Sequence, residues 1–309
     1  MTIIISAARA STLATAGTSN NPFVLWDNLG ASGTWSTDVG TQINSAAFAG
    51  TGTTYDQWSA TPDASGDAAL EVDLGSAQSV SMVAIAAHNA GTLGAAVSVQ
   101  YSATGTGSWT TAGGATSPTD NQAIVWYFAE TNARYWRVLF DRAAGATGAV
   151  VCGVVFVGMP LTMPQSIYQG YRPPITPTEV ALQSNVSEGG HLLGSSAVKR
   201  ASTASTEIRH LPDTFIRSYG SAYYLTDESG AVITDEAGDP LEVDPVISQK
   251  WAAFQAHFNE GGGFFWAWRP TKYGDVHYAW RSGAVIAPEN SGPRAYMSAS
   301  LEMRFYDEP

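Results

Sequence analysis

The sequence is nearly devoid of cysteine, since Cys152 is the only one among 309 residues. A lone cysteine excludes an internal disulfide and a cysteine-rich metal cluster. Its apolar neighbours, GAVVCGVVFVG, predict a small hydrophobic side chain in a buried strand. No apolar run reaches the ~18 residues of a membrane-spanning helix. The start, MTIIISAARA, lacks the basic region and apolar length of a signal peptide, so we expect a soluble protein made in the cytoplasm.

Charge is also scarce, because charged residues make up 14% of the chain against roughly 25% in an average soluble domain. The 27 Asp and Glu outnumber the 15 Lys and Arg, and the net charge is -12. Binding to a phosphate backbone needs clustered Lys and Arg, so we expect no nucleic-acid partner and no membrane insertion. The 31 glycines indicate many short strands joined by turns.

Catalytic signatures are missing as well. The sequence contains no G-x-S-x-G, no H-E-x-x-H and no phosphate-binding loop. Five histidines are scattered along the chain, and no pair of acids is set apart as the two carboxylates of a glycosidase. We therefore predict that the chain is not an enzyme and has no cofactor and no metal centre.

One acidic segment is conspicuous. The stretch LTDESGAV from Leu225 is echoed by ITDEAGDP from Ile233, and the region up to Asp244 holds seven acids and no Lys or Arg. The spacing differs from that of an EF-hand loop, and adjacent Asp and Glu in a strand point to opposite faces. We interpret the segment as an acidic hairpin insertion over about residues 223–244, with a weak cation site as the alternative.

Strand patterns fill the first half, residues 1–158. ALEVDLG, SVSMVAIAAH, AVSVQYSA, AIVWYFAE and RYWRVLF recur between turn clusters, and no helix-length amphipathic segment is evident. This pattern predicts an antiparallel β-sandwich. Five prolines then predict a linker or extended arm over residues 159–178.

The second half, residues 179–309, mixes strands with one helix. Trp251, Phe254 and Phe258 share one helical face, and an Asp-Pro start and a triple-glycine end set the helix at about residues 245–259. FFWAW and DVHYAW predict a hairpin, and AYMSASLEMRFY predicts an alternating closing strand. The fold class is mainly β, with this second β-sandwich-like domain carrying the helix.

Four aromatic residues before ALEVDLG are candidates for binding a sugar. They are Trp26, Trp35, Tyr55 and Trp58. Aromatic rings on loops at one end of a sandwich present flat apolar faces to a ligand. The alternative is that several of them plug the end of the sandwich as core residues.

A second set is predicted to contact a neighbouring subunit. In FFWAW, alternation places Phe264 and Trp266 on the face toward the helix, and it places Phe265 and Arg269 on the opposite face. We therefore expect a partner subunit to cover Phe265 and Arg269. Tyr168 and Tyr171, in the proline-rich arm, complete this predicted interface.

The first half resembles the discoidin, or coagulation-factor type C, family. The resemblance rests on the order NNPFVLWDNLGASGTWST, DQWSA, ALEVDLGSAQSVSMVAI, VSVQYSATGTGSWTT, ARYWRVLF and GVVFVG. It implies an eight-stranded jelly roll that binds glycans, lipids or proteins through loops at one end. The family's frequent cysteine pair is absent here.

The second half resembles tail-tip proteins of tailed bacteriophages, of the distal-tail and minor-tail group. The resemblance rests on the helix followed by GGGFFWAWRPTKYGDVHYAW, on the Asp-Glu-x-Gly tandem and on the closing strand SLEMRFYDEP. It implies a β-sandwich hub domain that assembles into a ring, a hexamer or trimer, against other tail proteins. The expected place is then the virion tail tip, with the first half contacting a host-surface glycan or protein. A free lectin, or a glycan-active enzyme with a binding module, is the alternative.

Overall fold

The computed structural model describes most of the chain. The described residues are 2–167, 170–174, 179–216, 223–224, 229, 231, 234, 242–243, 245–290 and 296–306. Within them, no helix is long and apolar enough to cross a membrane. Strands dominate, and the predicted mainly β fold class is confirmed.

The strands and helices are numbered in chain order. The strands are β1 (Thr2–Ile5), β2 (Phe23–Leu25), β3 (Thr34–Val39), β4 (Thr41–Asn44), β5 (Trp58–Thr61), β6 (Ala68–His88), β7 (Ala96–Ser102), β8 (Thr110–Thr116), β9 (Ile124–Asp141), β10 (Val150–Gly158), β11 (Leu161–Thr162), β12 (Glu179–Val186), β13 (Leu192–Leu211), β14 (Tyr223–Tyr224), β15 (Glu242–Val243), β16 (Phe264–Ala267), β17 (His277–Arg281), β18 (Glu289–Asn290) and β19 (Met297–Phe305). The helices are α1 (Ala7–Thr15), α2 (Ala90–Leu93), α3 (Asp213–Ile216) and α4 (Pro245–Asn259). Short 3₁₀ turns cover Leu29–Ser32 and Ala46–Gly50.

The first half is a sandwich built on two long strands. The strand order is β4-β5-β10-β6-β9-β7-β8, with β3 on β6 and β1 on β9. β6 and β9 pair along most of their length, with register shifts after Asp73 and Val80. Residues from both ends of β6, such as Leu70 and Ile85, lie in one core, so the two strands contribute to both layers. Cys152 is buried in that core, as predicted.

The second sheet takes two strands from outside the predicted second domain. Its order is β11-β2-β16-β17-β19-β13-β12, with β18 on β19. β2 pairs antiparallel with β16, and β11 pairs with β2. β2 lies within residues 1–158 and β11 within the stretch expected to lack regular structure. The predicted domain division itself stays a prediction.

Of the two longer helices, α4 was predicted correctly and α1 was missed, as were the four-residue helices α2 and α3. α1 follows Ser6, whose hydroxyl accepts a hydrogen bond from the Arg9 backbone N–H and so caps the helix. This nine-residue helix is short and buries only Leu13. α4 begins and ends where the sequence indicates, and its aromatic face packs against β16 as expected.

The packing around β16 corrects the predicted role of Phe265. Phe264 and Trp266 pack with the α4 aromatics, which confirms that face. Phe265, however, is fully buried against Phe156 of β10 and against Tyr278. The opposite face is therefore covered by the chain's own first half, because β10 and β6 also present an apolar outer surface.

The β12–β13 hairpin projects from the edge of the second sheet. β12 pairs only with β13 among the described strands, whereas β13 continues on to pair with β19. All the side chains from Ala181 to Ser196 are exposed except Ser187, which is half-buried. We refer to residues 179–197 as the β-arm. Most of the predicted acidic hairpin and Tyr168 lie outside the described residues.

Candidate functional site: a groove between the two halves

A groove lies where loops of the first half meet the end of α4. Two depressions of about 320 Å³ each adjoin there. They share Gly52 and Gly263, so they form one continuous surface. We name it the junction groove and define it by residues 26–28, 50–55, 257, 261–263 and 280. Both halves of the chain therefore contribute to it.

Glycines after α4 allow the close approach of two side chains. A Cβ atom on Gly263 would lie 1.9 Å from the Tyr278 hydroxyl oxygen, and one on Gly262 would lie 2.3 Å from the His257 ring. Gly261 has a φ of 86°, which favours glycine. The triple glycine thus forms the tight turn that the sequence predicts between helix and strand.

Tyr278 ties the two sides of the groove together. Its hydroxyl donates a hydrogen bond to the Gly52 carbonyl oxygen, and its ring packs on Phe156. Burial raises the pKa of Tyr278, which keeps the phenol protonated and able to donate. The loop of the first half is therefore held against β17.

Trp26 and His257 form the inner wall. Their ring centroids lie 5.5 Å apart, and Trp26 also packs on Phe254 of α4. His257 Nε2 lies 2.8 Å from the Gly263 carbonyl oxygen. A carbonyl only accepts, so Nε2 carries the hydrogen in this contact. Trp26 is half-buried and remains accessible from the groove.

Asn28 holds the floor through all of its amide groups. Its Oδ1 accepts from the backbone N–H groups of Gly30 and Val157, each at 3.0 Å. Its Nδ2 donates to the carbonyl oxygens of Val155 at 3.0 Å and Gly50 at 3.4 Å. Asn28 therefore fixes the loop and has little capacity left for a ligand.

The four predicted sugar-binding aromatics divide between groove and core. Tyr55 is 93% exposed and lines the outer part of the groove, and Trp26 lines the inner part. Trp35 is half-buried and donates from Nε1 to the Gly30 carbonyl oxygen at 2.8 Å, so it supports the loop.

Trp58 is a correction to the predicted ligand set. It is fully buried, packs on Phe140 in the sandwich core and donates from Nε1 to Thr37 Oγ1 at 2.8 Å. A side chain with no exposed surface cannot contact a sugar, so the alternative interpretation as core holds for this residue.

Two of the predicted interface residues meet around Trp268. Tyr171 packs on Trp268 with ring centroids 5.4 Å apart, and its hydroxyl accepts a hydrogen bond from Trp266 Nε1 at 3.0 Å. Burial raises the pKa of Tyr171. The Arg269 guanidinium lies over Trp268, with its carbon Cζ 5.1 Å from the ring centroid. Tyr171 is thus committed largely to its own chain, and a subunit contact at Arg269 stays a prediction.

The groove also contains residues that sequence reasoning did not select. Trp280, Asp27 and His257 line it. The one sequence signal for these three residues was that Asp27 directly follows the candidate Trp26. In the described part of the chain, no group of three or more His, Cys, Asp or Glu could hold a metal ion.

A family comparison bears on the first half. Residues 47–138 match the model of the NedA-like, galactose-binding domain of the coagulation-factor type C group. The predicted resemblance of the first half to the discoidin family is confirmed over those residues. No curated protein matches the chain. The resemblance of the second half to tail-tip proteins stays a prediction.

Similar solved structures align with less than half of the chain. Chitosan-binding module 1 of a chitosanase/glucanase from Paenibacillus sp. IK-5 is 23% identical, with a TM-score of 0.37, over 43% of this chain and 99% of its own. Module 2 of the same enzyme, in complex with chitotriose, is 27% identical, with a TM-score of 0.35, over 43% and 100%. CpGH89CBM32-5 from Clostridium perfringens, in complex with GalNAc-beta-1,3-galactose, is 10% identical, with a TM-score of 0.37, over 43% and 100%.

Proposed function

We propose that the protein binds a glycan in the junction groove. The observation that carries the proposal is the placing of an exposed Tyr55 and an accessible Trp26 in one groove, with polar groups of Asp27 and His257 beside them. Apolar rings with a few polar groups are the usual make-up of a small-ligand site. The match to a galactose-binding family model includes the loop that carries Tyr55, which supports a sugar as the ligand.

A glycan array on the whole chain, followed by calorimetry on the best ligand, tests the proposal. We expect Tyr55→Ala and Trp26→Ala each to weaken binding by about tenfold or more. Tyr55→Ala leaves the melting temperature unchanged, because the side chain is exposed. Tyr273→Ala removes another exposed aromatic outside the groove and serves as the matched control. Unchanged binding in both groove variants overturns the proposal.

We further propose that this binding serves a structural protein of a bacteriophage tail tip that assembles into a ring. The specific observation is the β-arm, whose aliphatic side chains Leu182, Val186, Leu192 and Leu193 are 58–70% exposed. Val186 lies opposite Leu192 in the strand register. A two-stranded ribbon is marginal by itself in water, and an unpaired strand edge is a template for another chain. A second copy of the chain that covers the β-arm would bury its apolar side chains and pair its free strand edge.

Light scattering coupled to size-exclusion chromatography tests assembly. We expect a closed oligomer, a hexamer or trimer, and rings in electron micrographs. Leu182→Asp together with Leu192→Asp dissociates it. Gln183→Asp together with Asn185→Asp, which adds the same two charges to the other face of β12, does not. A wild-type chain that stays monomeric at high concentration overturns the ring. Glycan binding by that monomer would then identify a free lectin.

A further inference from the structure

The charge of the junction groove is one-sided. Asp27 lines the groove, and among the described lining residues none is Lys or Arg. Exposed Asp56 and Glu260 adjoin the lining residues Tyr55 and Gly261 in the sequence. The aromatic groove is therefore set in a negative environment on a chain whose net charge is already -12.

Asp27 differs from two paired acids on the sandwich face. There, Asp73 pairs with Arg134 at 2.6 Å, and Asp38 pairs with Arg137. Those carboxylates are neutralised within the fold. Asp27 is exposed and forms no ion pair with any described residue. Its charge is therefore left for whatever enters the groove.

These observations discriminate among classes of glycan. A uronic acid or a phosphorylated sugar would bring a like charge toward Asp27 and toward a net-negative chain, which is repulsive. A sugar that carries a free amine is protonated near neutral pH and would gain an ion pair. Its ring offers the same apolar face to Tyr55 or Trp26 as a neutral sugar does.

We propose that the junction groove prefers a glycan with free amino groups, a glucosamine-type oligosaccharide, whose ammonium group pairs with Asp27. The proposal rests on the proposed glycan binding and names its ligand class. It also requires both halves of the chain, because Asp27 and Tyr55 come from the first half, and His257 and Trp280 from the second.

The test compares the glucosamine trimer with its fully N-acetylated counterpart by calorimetry on the whole chain. The two trimers differ both in charge and in their acetyl groups. Varying the salt concentration and mutating Asp27 therefore show whether charge causes the preference. We expect the free-amine trimer to bind about fivefold or more tightly at about 0.05 M salt, and the preference to shrink at about 0.5 M salt. Asp27→Asn reduces the preference severalfold, and Glu260→Gln reduces it less. Glu130→Gln, an exposed acid outside the groove, makes the same charge change and leaves the preference intact.

The outcomes separate this proposal from the one on which it rests. Equal or tighter binding of the acetylated trimer, or a preference that survives both high salt and Asp27→Asn, overturns the amino-sugar assignment while glycan binding stands. A failure of every neutral, acidic and amino glycan to bind overturns both proposals. Loss of binding by Tyr55→Ala together with loss of preference by Asp27→Asn supports both.

Discussion

The Tyr278 hydroxyl donates a hydrogen bond to the backbone carbonyl oxygen of Gly52, 226 positions away in the sequence. This contact joins the two halves beside the junction groove. Tyr278 is buried, so replacement by Phe leaves the Gly52 carbonyl without this donor. We expect Tyr278→Phe to lower the free energy of unfolding by about 1–2 kcal/mol in urea denaturation. Tyr273→Phe removes an exposed hydroxyl and changes it by less than about 0.5 kcal/mol. Equal effects of the two variants would contradict the assignment.

Gly263 is expected to tolerate no side chain. A Cβ there would lie 1.9 Å from the Tyr278 hydroxyl oxygen, so Gly263→Ala forces the turn or β17 to shift. We expect a loss of about 1–3 kcal/mol in the free energy of unfolding, together with weaker glycan binding. Gly194→Ala is the control, because its Cβ would meet nothing within 4 Å. A Gly263→Ala protein as stable as the wild type would show that the fold does not need the close approach of residue 263 to the Tyr278 hydroxyl.

Phe265 is expected to matter for folding. The side chain is fully buried between β16 and the first half. Phe265→Ala therefore costs about 3–5 kcal/mol in the free energy of unfolding through the cavity it leaves. Light scattering on the folded fraction of the variant gives the oligomer mass, which distinguishes a role in folding from a role in a subunit contact. A stable variant whose oligomer mass falls would restore the original interface prediction.

The opposite fates of Phe265 and its neighbours show what the sequence can reveal. Alternation in FFWAW and the helical spacing of Trp251, Phe254 and Phe258 are local patterns, so β16, α4 and their shared core were predictable. Alternation also indicates that β16 has a second face, but not what covers that face. The cover comes from β10 and β6, and pairing with β2 joins segments over 200 residues apart in sequence. No local pattern carries such long-range information.

The candidate site was predictable only in part, because it depends both on local patterns and on long-range docking of the two halves. Tyr55 and Trp58 lie three residues apart in one polar loop region, yet one is exposed and the other is core. Their difference arises from strand β5, which begins at Trp58 and turns its ring inward. Asp27 and His257 line the same groove only because the two halves dock, so their positions in the sequence give no sign of it.

Trp58 and Tyr55 give a direct comparison of core and surface. We expect Trp58→Ala to lower the free energy of unfolding by about 3–5 kcal/mol, because the largest kind of side chain leaves a packed core. Tyr55→Ala changes it by less than about 0.5 kcal/mol. Thermal unfolding followed by circular dichroism checks both variants. A Trp58→Ala protein that melts like the wild type would return this residue to the list of surface candidates.

Glu71 is expected to make stability depend on pH. It lies on β6 opposite Arg137 of β9. Burial and the carboxylate of Asp38 raise the pKa of Glu71 from 4.5 to about 7, against the attraction of Arg137. The folded state thus holds the proton more tightly than the unfolded chain does. The contribution of the protonated Glu71 to the free energy of unfolding is fully present below about pH 4.5. It is lost as the pH rises through about 7.

Glu71→Gln imitates the protonated carboxyl at every pH. We expect the variant to exceed the wild type by about 1 kcal/mol in free energy of unfolding at about pH 8 and by nearly nothing at about pH 4.5, with screening by solvent included. Burial lowers the pKa of His88 and His277 to about 4, so both proteins lose stability as the pH falls below about 6.5. That loss cancels in the difference. A Glu71→Gln difference that is equal at both pH values would contradict the raised pKa.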